Sequence, residues 1–555
     1  MHGMNCAASL GITVRVLIAA LATLTRADEA LLTLSTGSVR GLVRPHSRVW
    51  LRVPYAEKPG RWRPPVPKAP WRGTLDGTVF GPACPQPAGF DPPITSTAED
   101  CLSLAIYAPR AASVHNGSGS AVMVYIHGGS FLNGGASEAR LNATRLVERS
   151  GGALAVVVLQ YRLGVLGFLG AEALRERGGD NSTGNYGLQD QRLALQWVRA
   201  HAAAFGGDGR KVTIVGQSAG AASVSIHIVA PRSAGLFHRA SMWSGAFPDW
   251  AVNTMDAQQR LFAQLARALC GRATGASAVK CLEALSAKVL VDAAAAAVAA
   301  ACGGRACMQP TIDGVELVDE PRRLLESTDL SAVGLLMGSG RDEGDGFDCG
   351  GGLARDADVR GLQAWLEHEY CLPSANASHL ASLYMPEAVP VPAAGASAEY
   401  VAGEWAETDQ SMWCGARRAA HAHASFGGGT VNASAYLYRF YRGVGGAPFV
   451  HHSDDIPFWF DATEALAAAG ALAADLRLAR RMSAHLAAFV VRGDPAAEAC
   501  SECDMAPEAW PAYTLAAPAS LELNLTSAVR LDVQATQCAF WDAHPYFGQE
   551  SVNVQ

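Results

Sequence analysis

The sequence predicts an α/β protein with a mostly parallel central sheet covered by helices on both faces. Three observations predict it. Residues 121–126, 153–159 and 212–215 are short runs of apolar and β-branched residues, the composition of strands buried on both faces. Residues 187–201 carry apolar side chains at helical spacing, Leu188, Leu195 and Val198 among them, and 219–229 read as the helix after the elbow. Strand and helix alternate through this region, which is the pattern of a parallel sheet with crossover helices. The third observation is the run Val212-Thr-Ile-Val-Gly-Gln-Ser-Ala-Gly220, a strand entering a G-x-S-x-G turn and leaving as a helix. Gly216 and Gly220 permit a turn too tight for flanking side chains. Ser218 at its apex is pushed outward, toward the N-terminal dipole of the next helix. That is the geometry of an activated serine nucleophile.

Taken in chain order, the first element is a secretory signal over residues 1–27. Arg15 precedes the apolar run 16–24, and Thr25-Arg-Ala27 offers a small-residue cleavage site. The run is shorter than the about 20 residues of a bilayer span, and Asp28 and Glu29 follow at once. An anchor or an ordinary helix is the competing reading. Residues 28–555 show no internal repeat and no linker, so they are read as one domain. Further along, 293–301 reads as an Ala-rich surface helix segment, 386–398 as an exposed Pro/Ala loop and 466–491 as one long helix.

Composition bounds the function. The chain has 555 residues, 49% of them hydrophobic, enough for a large core, and its net charge is −7. With no long basic run, nucleic acid is not an expected partner. Removing Cys6 with the signal leaves an even number of the 13 cysteines, as expected where disulfides form. No CxxC pair recurs at zinc-finger spacing, so no metal is expected. Glycosylation sequons stand at Asn116, Asn142, Asn181, Asn376, Asn432 and Asn524. Residues 551–555 carry neither a retention tetrapeptide nor a lipid-anchor tail. Together these features describe a secreted glycoprotein with no membrane span.

Longer motifs surround the elbow. They are Gly184-Asn-Tyr-Gly-Leu-Gln-Asp-Gln191, Ala194-Leu-Gln-Trp-Val198, Phe205-Gly-Gly-Asp208 and Tyr161-Arg-Leu-Gly-Val-Leu-Gly-Phe168. Glu99-Asp-Cys-Leu102, Val53-Pro-Tyr-Ala56, Trp510-Pro-Ala-Tyr513 and Cys538-Ala-Phe-Trp541 belong to the same set. Over roughly residues 30–545 the chain resembles the type-B carboxylesterase/cholinesterase family of α/β-hydrolases. The resemblance implies the α/β-hydrolase fold, a small-molecule ester substrate and no cofactor.

Ester hydrolysis by serine needs a base, a group that orients the base, and donors for the oxyanion. In this fold the chain order is Ser, acid, His. The resemblance places the base at His452, since His452, Ser453, Asp454, Asp455 and Ile456 fit the family register; the neighbouring His451 would shift it by one. It places the acid at Glu343, after the apolar strand 333–337, with Asp342 and Asp345 as adjacent alternatives. His127-Gly-Gly-Ser130 matches the family's H-G-G loop, with Gly128, Gly129 and Ala219 as oxyanion donors. Losing one such donor costs about 3–4 kcal/mol in the barrier. Arg162 and Asp190 read as partly buried charges that need partners, and Ser244 matches a serine that the family holds near the triad. The family's disulfide pattern implies the pairs Cys84 with Cys101, Cys270 with Cys281, and Cys414 with Cys538. Cys302, Cys307, Cys349, Cys371, Cys500 and Cys503 have no counterpart; local pairs 302–307, 349–371 and 500–503 are one arrangement among others.

Two departures bear on the substrate. The loop from Pro85 to Asp100, where the family's choline-reading tryptophan lies, has Phe90 as its only aromatic residue. The residue before the nucleophile is Gln217, where cholinesterases and many carboxylesterases carry Glu. Both disfavour a cationic ester. Trp250 is a candidate acyl-pocket wall, or a plain core tryptophan. The leading expectation is a secreted carboxylesterase acting on uncharged esters. A cholinesterase-type or other specialised esterase is the second. A non-catalytic, cholinesterase-like adhesion protein is the third, and the presence of Ser218, Glu343 and His452 weighs against it.

Overall fold

The strands of the computed structural model run in chain order as β1 (Glu29–Leu34), β2 (Gly37–Val43), β3 (Ser47–Pro54), β4 (Thr74–Asp76), β5 (Ser103–Pro109), β6 (Ser120–Ile126), β7 (Leu154–Leu159), β8 (Gly207–Gln217), β9 (Arg239–Trp243), β10 (Asn253–Thr254), β11 (Thr311–Ile312), β12 (Gly334–Gly340), β13 (Ala435–Phe440), β14 (Ala519–Leu523) and β15 (Ala528–Leu531). The structure describes residues 29–88, 96–110, 119–177, 179–301, 308–344, 352–385, 395–426, 433–496 and 508–544, with only the backbone of 295–301. The signal region 1–27, Asn116, Asn432, Phe90, Asp345 and Cys302, Cys307, Cys349, Cys500 and Cys503 lie outside them.

The main sheet has the order β1-β2-β3-β5-β7-β6-β8-β9-β12-β13-β14-β15, with β4 beside β2. From β7 through β14 every neighbouring pair is parallel. The flanking pairs β1-β2, β2-β3, β3-β5, β5-β7 and β14-β15 are antiparallel. This is the α/β-hydrolase fold that the sequence predicts, a mostly parallel sheet with helices on both faces.

Side-chain alternation along β6 explains the two layers. Val122, Val124 and Ile126 enter one core with the helices Tyr186–His201 and Ala219–Val229. Ala121, Met123 and Tyr125 enter the other with the helices Thr144–Arg149 and Ala473–Arg492. Both sides of the strand are covered, so it has no polar face. A third cluster joins Trp62 and Tyr186 to the helices Met255–Cys270 and Gly275–Ala284. Arg162 and Asp190 are fully buried and paired bidentately, Nε to Oδ2 and Nη2 to Oδ1 at 2.7 Å each. That geometry is what offsets the desolvation of two buried charges.

Two expected elements differ. β8 begins at Gly207 rather than at 212, because the polar stretch before Val212 still pairs with β6, through Ser120 and across a register shift. The expected single helix over 466–491 is two, Thr463–Ala468 and Ala473–Arg492. Gly470 turns the chain between them at φ +82°, and Asp475 starts the second by accepting from Leu472 N at 2.7 Å. The Ala-rich segment belongs to the helix Ala287–Ala301, and of its described side chains Ala294 is buried and Ala293 half-buried, both against the third cluster. The pairs Cys84–Cys101, Cys270–Cys281 and Cys414–Cys538 lie at disulfide distance. Of the four described sequon asparagines, Asn181 is exposed, and Asn142, Asn376 and Asn524 are half-buried.

Candidate active site

Four neighbouring parallel strands deliver the candidate residues at their carboxyl ends, where α/β sheets commonly bind ligands. β8 ends at Gln217 and turns into Ser218. β9 ends at Trp243 and leads to Ser244. β12 ends at Gly340, three residues before Glu343. β13 runs into the loop that carries His452. Main-chain bonds tie these ends together. Ser218 N donates to Trp243 O at 2.9 Å, and Ser244 N to Gly338 O at 2.7 Å.

The elbow is strained and tightly wedged. Ser218 has φ 57° and ψ −126°, outside the regions most L-residues occupy. A Cβ on Gly216 would lie 2.3 Å from the Gly220 carbonyl, and one on Gly220 would lie 2.0 Å from Ile126 O on β6. Glycine is therefore required at both places. Ala219 opens the helix Ala219–Val229, so its N-terminus faces the serine.

The loop after β6 lies against the elbow. A Cβ on Gly128 would come within 3.1 Å of Ser218 Cβ, and Gly129 takes φ +102°. His127 Nδ1 donates to Gly128 O at 2.9 Å, and Tyr161 Oη donates to His127 O at 2.9 Å. Burial holds the His127 imidazole below its ordinary value, which favours the neutral donor form. Gly128 and Ala219 thus lie beside Ser218, with Gly129 next to Gly128 in the same loop.

Glu343 is almost fully buried. Its Oε2 accepts from His452 Nδ1 at 2.7 Å. Its Oε1 accepts from Ser244 Oγ at 2.7 Å and from Gly340 N. Its own N–H donates to Thr408 Oγ1 at 2.7 Å. Asp342, the adjacent alternative, is committed elsewhere, to Arg341, to Trp405 Nε1 at 2.8 Å and to Val450 N at 3.1 Å. His452 Nε2 lies 3.0 Å from Gln217 Nε2, beside Ser218. His451 is exposed, and its ring lies 6.2 Å from that of Phe449. The structure therefore brings Ser218, Glu343, His452 and Gln217 into one cluster. Trp250 stands apart in its polar contacts. It is half-buried, and its indole N–H donates to Ser411 O at 3.1 Å.

Sequence reasoning missed two supports. Asp455 anchors the His452 loop to β13, its Oδ2 accepting from Tyr438 Oη at 2.8 Å and from Trp459 Nε1 at 3.1 Å. Burial, with the Glu343 charge second, pushes its carboxyl up to about 7. Thr408, at the end of the helix Ala398–Thr408, fixes the Glu343 backbone. The acidic register after His452 could have marked Asp455; no local signal marks Thr408. Among the described residues, no group of His, Cys, Asp and Glu is arranged to hold a metal.

Chemically, the cluster couples a buried hydroxyl at the apex of the elbow, an imidazole whose other nitrogen is held by a carboxylate, and backbone N–H groups at a helix start. The family model described as "Carboxylesterase family" matches residues 28–541. Acetylcholinesterase of Bungarus fasciatus is 30% identical, over 93% of this chain and 86% of that protein. Para-nitrobenzyl esterase of Bacillus subtilis is 31% identical, over 87% of this chain and 92% of that protein. Cocaine esterase of Oryctolagus cuniculus is 36% identical, over 56% of this chain and 58% of that protein.

Proposed function

We propose, on the premise that the chain belongs to the carboxylesterase family and is a carboxylic ester hydrolase, that it works through an acyl-enzyme on Ser218, with His452 as base and Glu343 as the orienting acid. The observation that carries this reading is the 2.7 Å contact of His452 Nδ1 with Glu343 Oε2 beside the elbow. The carboxylate fixes the tautomer, leaving the Nε2 lone pair to take the serine proton. Ser218 Oγ attacks the ester carbonyl, and the backbone N–H groups of Gly128, Gly129 and Ala219 receive the developing oxyanion. The alcohol leaves with the proton returned by His452. Water, deprotonated by the same imidazole, then releases the acid.

The preferred substrate in this reading is an uncharged ester. Gln217 contributes no negative charge at the elbow, and the loop 85–100 holds no tryptophan over which a quaternary ammonium could sit. The para-nitrobenzyl esterase, similar over nearly its full length, supports the same class. We read residues 1–27 as a cleaved secretory signal and the rest as one domain, exported and glycosylated. Three disulfide-distance pairs support export.

A fluorophosphonate is expected to label Ser218, located by peptide mass spectrometry, and Ser218→Ala is expected to lose about a thousandfold or more in p-nitrophenyl ester hydrolysis. Label on another residue, or full activity in the variant, refutes the assignment. Acetylthiocholine turnover exceeding that of neutral esters refutes the substrate class.

A further inference from the structure

The elbow residue before Ser218 does more than leave out a charge. We infer that Gln217 is a positioning residue for His452, its side-chain amide serving as the partner of Nε2 in whichever protonation state the imidazole holds. The inference rests on the reading of His452 as base.

Geometry fixes the resting direction of the contact. Glu343 Oε2, 2.7 Å from Nδ1, can only accept, so Nδ1 carries the proton. In the neutral ring Nε2 is then a bare lone pair, and it lies 3.0 Å from Gln217 Nε2, an N–H donor. Gln217 is fully buried, so its amide has no bulk water to turn to. The lone pair it holds is the one that the Ser218 hydroxyl must use, so the amide competes with Ser218 at rest and keeps the ring seated beside the elbow. When the ring becomes an imidazolium, Nε2–H needs an acceptor, and a half-turn of the amide presents Oε1 there. The amide offers both a donor and an acceptor. A carboxylate at this position could serve the charged ring alone, and an apolar side chain neither state. Among the described residues, the other ionisable groups interacting with the ring are Glu343 from the end of β12 and Asp454 and Asp455 of its own loop; His451, next to it in the chain, pairs electrostatically with Asp454.

The test compares Gln217→Met and Gln217→Glu with the full-length parent. Gln217→Met keeps the volume and removes both hydrogen-bonding faces. Its kcat on a p-nitrophenyl ester is expected to fall about 3- to 10-fold with KM within about twofold, the acid limb of the rate profile staying in place. Gln217→Glu is expected to move that limb to higher pH by about one unit or more, since a carboxylate favours the charged ring. The proton between Nδ1 and Glu343 gives a readout independent of turnover. Its downfield NMR resonance is expected to broaden in Gln217→Met and to titrate at higher pH in Gln217→Glu. A folded Gln217→Met with the parent's kcat and resonance overturns the inference, as does a folded Gln217→Glu with an unmoved limb. If the Glu variant does not fold, the Met variant decides. Failure of Ser218 to take the fluorophosphonate in the parent would instead overturn the esterase mechanism, while the resonance would still report the amide contact.

Discussion

Glu343 is held by donors from three directions: His452 Nδ1, Ser244 Oγ and Gly340 N. Removing the Ser244 hydroxyl leaves the carboxylate one bond short in a buried site, and bonds to charged groups are stronger than neutral ones. Ser244→Ala is expected to lower kcat by about tenfold with KM little changed, measured on a p-nitrophenyl ester. Equal loss in KM would place Ser244 in binding instead. Asp455 carries a pH dependence whose sign is fixed. Burial raises its carboxyl from 3.8 to about 7. The folded chain therefore keeps a proton that the unfolded chain releases, so this group's contribution to stability is complete below about pH 4 and lost as pH rises through 7. Asp455→Asn cannot ionise and keeps an oxygen for Tyr438 and Trp459. The melting temperature of the variant relative to the parent is expected to rise from pH 4.5 to pH 8. A difference constant across that range would remove Asp455 as the titrating group.

At this scale the sequence was partly readable. The pair Asp342-Glu343 shows why. Two adjacent carboxylates after a strand are nearly equivalent locally, and strand-end placement with the family motif preferred the second. The contacts separate them, because Arg341, Trp405 and Val450 claim Asp342. Gln217 was legible as a missing charge, but its approach to a ring 235 positions away depends on how β8 and the loop after β13 meet.

Among elements, the strand–elbow–helix unit was the most legible, because its glycines are dictated by local sterics. The helix Ala219–Val229 begins and ends where its sequence indicates. The polar start of β8 was not legible, since its pairing with Ser120 is a tertiary fact. Nor was the break at Gly470, which an Ala- and Leu-rich run masks. Two glycines now separate two kinds of requirement. Gly220→Ala puts a Cβ 2.0 Å from Ile126 O, so β6 and the elbow helix must part. It is expected to cost about 3 kcal/mol and to abolish fluorophosphonate labelling. Gly470→Ala meets nothing within 4 Å, and only its φ of +82° opposes it, at about 1 kcal/mol. Melting temperatures and labelling yields of the two variants check this. Equal losses in both would mean that the close contact at β6 is relieved by small shifts.

Across the whole molecule, the cross-links span very different lengths of chain. Cys414 and Cys538 are separated by 124 residues, Cys270 and Cys281 by 11. The long pair joins the helix Cys414–Phe426 to the helix Ala535–Ala543, so it links the sheet-covering helices to a segment that follows the last strand. The chain-entropy model makes a cross-link more stabilising as its loop grows, here by about 2 kcal/mol for the long pair over the short one. Both cysteines of the long pair are buried, so alanine is the replacement that leaves no stranded polar atom. The double variant Cys414→Ala/Cys538→Ala is expected to unfold at lower denaturant than Cys270→Ala/Cys281→Ala, with the same ordering in thermal inactivation of ester hydrolysis. The opposite order would mean that the unfolded chain keeps residues 414 and 538 close without the bond, and that loop length does not govern the stability of this fold.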